Sequence, residues 1–570
     1  MQQDNRQVPA IELINVSRRF VSPTGKSLTA LRDFNMTVAR GEFVAVVGPT
    51  GCGKSTTLNL VTGLARPSAG EVRLMGGPIT GIDPRVGFAF QTDALFPWKN
   101  VIDNVMAGPL FRGKPRAEAE KSARDWLARV GLSKFLHHYP HQLSGGMRKR
   151  VSLAQTFINE PEILLMDEPF SALDVQTRTV MHEELLKLWA ERKASVVFVT
   201  HDLEEAVALA DKVYVLTAGP ATVKSVYTID LPRAAHRIGD PLRAEFHRLL
   251  QDDLGRPARR GRDQLPPRKR SGLREDIMAH ITLEAGSAAL FRPGTSDAEI
   301  EASALKAMHR RNTLVRFWQI AILVFVIGMW ELASNMQWID PFFYSSPSGV
   351  LERLYEWATE GTTEGSLWYN LWVTMEEALI GFFAGSITGV FVGIGLGRNR
   401  FLSDIFSVYI KAINSIPRVV LAPIFIMIMG LGLPSKVALA FIMVFFVVFA
   451  NAFQGVREAD RNMIANARIL GASDWQVTRT VVIPSAMSWI FASLHVSFGF
   501  AIIGAIVGEF VGARFGIGQL ISIAKGTFDA AGMFAAILLV MVVTLVAEYI
   551  MTLIENRLAK WRPQQQLDTQ

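Results

Sequence analysis

One cysteine, Cys52, stands among 570 residues, so no intrachain disulfide can form and nothing marks an oxidising compartment. The opening stretch, MQQDNRQVPAIELINVSRRF, lacks a basic segment followed by an apolar one, so no cleavable export signal is expected ahead of the first domain. Acids are outnumbered: 52 Asp and Glu against 59 Lys and Arg leave a net charge of +7, and mean hydropathy is positive. That balance points to an acidic partner or a membrane face. No short-period repeat stands out. The length exceeds one ordinary core, so two domains or more are expected.

Long hydrophobic runs are missing from residues 1–252 and crowd the remainder. The first part alternates short apolar runs (VAVVG, ILLMD, VVFVT) with amphipathic stretches, each run closed by a polar turn, which reads as buried strands alternating with helices. From 314 onwards, runs at 315–335, 373–396, 404–430, 434–454, 486–511 and 530–554 are each long enough to cross a hydrocarbon layer of ~30 Å. Pro417 and Pro423 interrupt the third. The expected organisation is an α/β domain (1–252), a basic flexible linker (253–313), an all-α six-helix transmembrane domain (314–562) and a polar tail (563–570). Within the linker, RPARRGRDQLPPRKRSG is the most basic stretch, and Ser296 with Glu299 forms a capping-box pattern for a helix leading to the membrane. Six spans behind a cytosolic first domain would place both ends of the membrane domain in the cytosol; the basic residues after the second span (GRNRFLSD) and at Arg557, Lys560 and Arg562 agree with this, and Arg514 and Lys525 in the last external loop run against it. Residues 455–485 then face the same side.

GPTGCGKST (Gly48, Pro49, Thr50, Gly51, Cys52, Gly53, Lys54, Ser55, Thr56) follows FVAVV and precedes the helical LNLVTG, the strand-loop-helix setting a phosphate-binding loop requires. Its glycines let backbone N–H groups turn towards phosphate oxygens, Lys54 supplies a point charge, and Ser55 offers a hydroxyl to Mg²⁺. Cys52 is read as a small loop residue. ILLMDEP ends a buried strand in two acids. Asp167 suits Mg²⁺ coordination, and Glu168, one residue further out, can act on a water aimed at the γ-phosphate of ATP.

With these motifs in order, the first domain is expected to be an α/β P-loop NTPase, and residues 8–252 resemble ABC transporter ATPases. LSGGM, with Ser144, Gly145 and Gly146 opening a helix, looks like that family's signature, which binds a phosphate at a helix N-terminus. The resemblance implies that the phosphate belongs to a second copy, so two ATPs lie between two ATPase domains. It further implies that Gln91 senses Mg²⁺ and the attacking water, that His201 contacts the γ-phosphate, and that Asp174 communicates across the dimer. Phe20 sits where the family stacks an aromatic on adenine; a core phenylalanine is the other reading.

ANARILGASDWQVTRTVVIP (465–484) is similar to the coupling motif of ABC importer permeases, carried here by Ala465, Asn466, Ala467, Gly471 and Pro484. The family's usual opening Glu-Ala-Ala is Ala-Asn-Ala, which removes one acidic contact to the ATPase. Arg418, among apolar residues, either lines a translocation path and favours an anion, or snorkels to close the cytosolic end; Glu509 carries the same two readings. These segments resemble permeases of the nitrate, sulfonate and taurine group. The resemblance implies a homodimeric ATP-driven importer of a small anion across a bacterial inner membrane, served by a separate extracytoplasmic binding protein and binding no nucleic acid. An importer of pyrimidine or thiamine precursors, an exporter, and a nucleic-acid-acting ABC ATPase are the alternatives, the last opposed by the spans.

Overall fold

The computed structural model describes residues 8–21, 25–171, 175–230 and 297–558. Asp174, residues 253–296 of the expected linker with Ser296 of its capping pattern, and the tail 563–570 lie outside the described residues.

The N-terminal part is built on two sheets. Strands β1 (Ile11–Val21), β2 (Ser27–Val38), β4 (Ala69–Leu74) and β5 (Gly77–Pro78) form an antiparallel sheet in the order β2-β1-β4-β5. The second sheet runs β10-β9-β3-β8-β7-β6, with β3 (Phe43–Val47), β6 (Val86–Ala89), β7 (Ile163–Asp167), β8 (Ser195–Val199) and β9 (Lys212–Leu216) parallel and β10 (Val223–Thr228) antiparallel at the edge. The alternation of β3 explains its wholly apolar sequence: Val44 and Val46 enter the core beneath the antiparallel sheet, while Phe43, Ala45 and Val47 enter the core on the other face. Helices α1 (Lys54–Val61), α2 (Val101–Val105), α3 (Ala107–Phe111), α4 (Arg116–Arg129), α5 (Gly145–Phe157), α6 (Val175–Arg192) and α7 (Leu203–Leu209) complete this part.

The C-terminal part is helical: α8 (Asp297–Asn335), α9 (Pro341–Tyr344), α10 (Pro347–Thr359), α11 (Leu367–Arg398), α12 (Arg400–Asn414), α13 (Ala422–Met429), α14 (Leu433–Arg457), α15 (Arg461–Ile469), α16 (Asp474–Val477), α17 (Ile483–Val511), α18 (Ile517–Gly526) and α19 (Ala530–Leu558). Among the described residues, five helices are long and apolar enough to cross a membrane, within α8, α11, α14, α16–α17 and α19. The third expected span, 404–430, is not one helix. It is split into α12 and α13 by Ile416, Pro417 and a short 3₁₀ turn at Arg418–Leu421, because proline supplies no N–H to a helix interior and disfavours helical geometry in the residue before it. The chain still has to return here: α11 and α14 run parallel, Gly381 lying against Ala440 and Gly397 against Val456, so residues 399–432 must travel back across the same distance. Asp404 at one end of that return lies 3.8 Å from Arg457, and Leu431 at the other packs at Gly512.

A short-period repeat is present after all. Gly381, Gly385, Gly389, Gly393 and Gly397 recur every fourth residue along one face of α11, and a Cβ at each would come within 2.5–3.0 Å of α14 atoms. In lipid, helices associate by close backbone approach more than by hydrophobic exclusion, and this stripe permits it. Replacing Gly389 by Leu should destabilise the membrane part by about 1–3 kcal/mol, seen as a lower midpoint for thermal aggregation in detergent. Gly395, on the opposite side with nothing within 4 Å, should accept Ala unchanged; equal responses at the two positions would reject this packing role.

Candidate nucleotide site and interdomain contact

The parallel sheet assembles the phosphate-facing residues. In space its strands run β3-β8-β7-β6, so the segments that follow β3 (48–56), β8 (His201), β7 (Glu168) and β6 (Gln91) emerge side by side at the carboxyl edge, although they are far apart in the chain. Gly51 and Gly53 take φ of +77° and +115°, which turns the loop into α1. Lys54 is buried, and its amine donates to the carbonyls of Gly48 (2.8 Å) and Pro49 (3.1 Å), inside the loop that would hold phosphate. Cys52 is buried and packs against Gly48, as a small loop residue does, and burial pushes its thiol pKa up.

Ser55 lies beside Asp167, close enough to pull the acid's pKa down. Burial raises the Asp167 pKa, with Ser55 pulling the other way, Glu168 adding to the rise, and Lys54 and Lys149 opposing it. One carboxylate and one hydroxyl suit Mg²⁺, which would take its remaining ligands from water and phosphate oxygens. Among the described residues, no cluster of three or more His, Cys, Asp or Glu could hold a metal by itself.

Glu168 adopts φ +45°, uncommon for a residue bearing a side chain, and its N–H is tied to the Val199 carbonyl at 2.9 Å. Its Oε2 lies 3.2 Å from both Gln91 Nε2 and His201 Nδ1. The three residues therefore meet at one carboxylate oxygen. Phe20 is 42% exposed on β1 with the Arg18 guanidinium 4.8 Å from its ring centroid, so it is a surface aromatic and not a core residue.

Ser144 caps α5, its hydroxyl accepting from the Met147 N–H, which leaves Gly145 and Gly146 in the first turn with N–H groups free of side-chain obstruction. Further along α5, Arg148 pairs with Asp93 at 3.1 Å, and Lys149 donates to the carbonyls of Phe90 (2.6 Å) and Gln91 (3.0 Å). The signature helix thus grips the loop that carries Gln91. No sequence pattern flagged Lys149.

The same loop meets the membrane part. The helix α15, capped by Asp460, lies against residues 92–98: Asn462 Nδ2 is 3.4 Å from Thr92 Oγ1, and Asn466 Nδ2 donates to the Ala94 carbonyl (2.9 Å) and to Gln155 Oε1 (3.0 Å). Arg112 donates to the Leu470 carbonyl, Trp98 to that of Thr480, and Gln476 to that of Phe111. Ala467 shares a core cluster with Phe96, Ala107 and Val481, and Ala465 packs against the core of the first domain. Gly471 has φ +105° and lies under Arg112, whose Cγ would be 2.9 Å from an added Cβ. Pro484 follows directly on a π-helical turn at Thr478–Val482 that joins α16 to α17. The first domain is therefore docked on the membrane part of its own chain. Gln155, Arg112 and Trp98 were not foreseen, because each belongs to a different segment and gains its meaning from the fold.

One membrane residue needs correction, and the structure bears on the two readings of another. Glu509 is fully buried and does not line an open passage: its carboxylate accepts from Thr374 Oγ1 and from the Gly518 N–H, capping α18, beside Glu377 and the buried Lys436. Arg418 is half-buried with its guanidinium 5.4 Å from the Phe446 ring centroid, midway along α14 and away from the end of that helix that packs on the first domain through Ala452 and Val456.

Fold and site define a nucleotide-binding P-loop domain joined to a multi-pass membrane domain. Residues 31–171 match the family model described as ABC transporter, and residues 385–560 match the one described as binding-protein-dependent transport system inner membrane component. An uncharacterised ABC transporter ATP-binding protein of Methanocaldococcus jannaschii is 46% identical over 40% of this chain and 87% of its own length. A nitrate import ATP-binding protein of Synechocystis sp. is 44% identical over 39% of this chain and 83% of its own length. A taurine import ATP-binding protein of Yersinia pestis is 40% identical over 43% and 96%. A solved dimeric bacterial ABC transporter cassette is 32% identical, covers 39% of this chain and 100% of its own, with a TM-score of 0.36. The chain belongs to the ABC transporter family, with the ATP-hydrolysing domain and the permease in one polypeptide.

Burial lowers the Lys149 amine from its ordinary 10.5 to about 8, so between those values the unfolded chain binds more protons than the folded one. This group's contribution to stability is full above the ordinary value and is lost as pH falls through about 8. Raising pH from about 7 to about 9.5 should stabilise the ATPase domain relative to a Lys149→Met variant, measured by nucleotide-free melting of the intact chain. Parallel pH responses would reject the lowered value.

Proposed function

We propose that this chain is half of a homodimeric importer that couples ATP hydrolysis to inward movement of a small anion across a bacterial inner membrane, with the ATPase on the cytoplasmic side. The observation that carries this reading is the seating of α15, between two spanning helices, against the loop that holds Gln91: a change at the nucleotide has a short physical route to the membrane. Lys54 and the loop 48–56 bind the β- and γ-phosphates, and Phe20 stacks on the adenine. Ser55, Gln91 and Asp167 would hold Mg²⁺, which would neutralise developing phosphate charge. Glu168 acts as general base on the attacking water, oriented by Gln91 and His201, both 3.2 Å from its Oε2. Ser144, Gly145 and Gly146 complete the site on a second copy, so neither site works in a lone chain.

The domain boundaries follow the composition: 1–252, 253–313, 314–562 and 563–570. Relatives named for nitrate and taurine import support an anionic solute, and Arg418, positively charged at mid-depth, is assigned to its path. A separate extracytoplasmic binding protein delivers the solute.

In proteoliposomes supplied with the candidate binding protein, ATP should drive uptake of a sulfonate or nitrate. ATP-dependent export instead would overturn the direction. Glu168→Gln should lower hydrolysis by at least about 10²-fold while retaining ATP and locking the dimer on a sizing column; undiminished hydrolysis would remove Glu168 as the base.

A further inference from the structure

The contact between α15 and the ATPase contains an uncharged chain of buried amides. Asn466, Gln155 and Asn104 are 3%, 1% and 0% exposed. Asn466 Nδ2 donates to the Ala94 carbonyl and to Gln155 Oε1; Gln155 Nε2 donates to the Asn104 carbonyl at 2.9 Å. The Asn104 side chain in turn accepts from the Phe96 N–H and donates to the carbonyls of Phe96, Lys99 and Asn100. The orientation of each amide follows from its neighbours, because a backbone carbonyl only accepts: Ala94 fixes the Asn466 nitrogen, Asn104 fixes the Gln155 nitrogen, and Gln155 is left presenting its oxygen to Asn466. The pair is therefore complementary in one arrangement only.

We propose that the Asn466–Gln155 amide pair is the specificity-determining contact between permease and ATPase in this chain, and that Asn466 is a positioning residue for the loop carrying Gln91. The proposal rests on α15 being the coupling element. Position 465, acidic in the permeases that this segment resembles, is Ala here and packs on the ATPase core, so the acidic contact is absent and a neutral one lies beside it. Asn466 sits where three things meet: Ala94 in the loop three residues beyond Gln91, Gln155 on the signature helix, and the permease backbone. Lys149 on that same helix holds the other end of the loop through the Phe90 and Gln91 carbonyls. A shift of α15 is thus passed to the loop and to α5 together. A partner permease with an acid in place of Asn466 would present only acceptors to Ala94 and Gln155, leaving a buried charge unpaired.

The test uses the full-length chain in liposomes with cysteines at Thr92 and Asn462, exposed positions whose side chains are 3.4 Å apart; Cys52 is buried. A short bis-thiol-reactive cross-linker reports docking and needs no transported solute, so a failure of the import reading leaves this measurement standing. Asn466→Asp should lower the cross-linking rate about tenfold, and adding Gln155→Lys should restore at least about half of it by opposing the new charge. A rate within about twofold of the parent in Asn466→Asp would overturn the proposal. So would a loss that Gln155→Lys does not rescue, since that assigns Asn466 to packing alone. Absence of cross-linking in the parent would overturn the docking itself and the proposal with it.

Discussion

The seating of α15 in the cleft between loop 92–98 and α5 is the contact on which the two halves of this protein depend. A helix lying between two spanning helices cannot move without moving them, and a loop that begins at Gln91 cannot move without altering the carboxylate cluster at Glu168. The contact is mostly apolar, with Ala467, Leu470, Phe96 and Ala107 in one core, and its polar members are satisfied by backbone carbonyls or by each other. Buried groups paired this fully hold one geometry, because any slip strands donors away from water.

The candidate nucleotide site follows from a different constraint, the parallel order of the central sheet. Strands β3, β8, β7 and β6 adjoin in space but not in sequence, and their carboxyl ends all open on the same side. Glu168 is therefore bracketed by Gln91 and His201 from its two flanking strands. The left-handed conformation at Glu168 turns its side chain out of the strand line towards them, a strained position held by the N–H bond to Val199.

In the membrane half, close approach does what hydrophobic burial does in water. The glycine stripe brings α11 against α14, and the outer ends are tied by polar groups that cap one another: Glu509 on the N-terminus of α18, Lys436 on the Leu431 and Gly432 carbonyls, Asn370 and Thr374 on the backbone of Gly516 and Ile517. These buried polar residues fasten helices and are not displayed to a passage. The broken return through α12 and α13 leaves Arg418 at the level of Phe446.

The sequence by itself determined the local chemistry: a glycine-rich turn after FVAVV, acids closing ILLMD, a serine before two glycines opening α5, and apolar runs of spanning length. Each is legible because a short stretch carries the whole physical requirement, whether backbone freedom, a cap or a hydrophobic length. The glycine period in α11 is equally local, but a four-residue spacing gains significance only against a partner helix. What only the tertiary structure decided was everything that depends on distant segments meeting. Phe20 became a surface aromatic, Glu509 a helix cap, and Gln155 a partner of Asn466 from 311 positions away. The physical reason is that an amide, a carboxylate or an aromatic ring has no fixed role in a sequence; its donors, acceptors and neighbours are supplied by the fold.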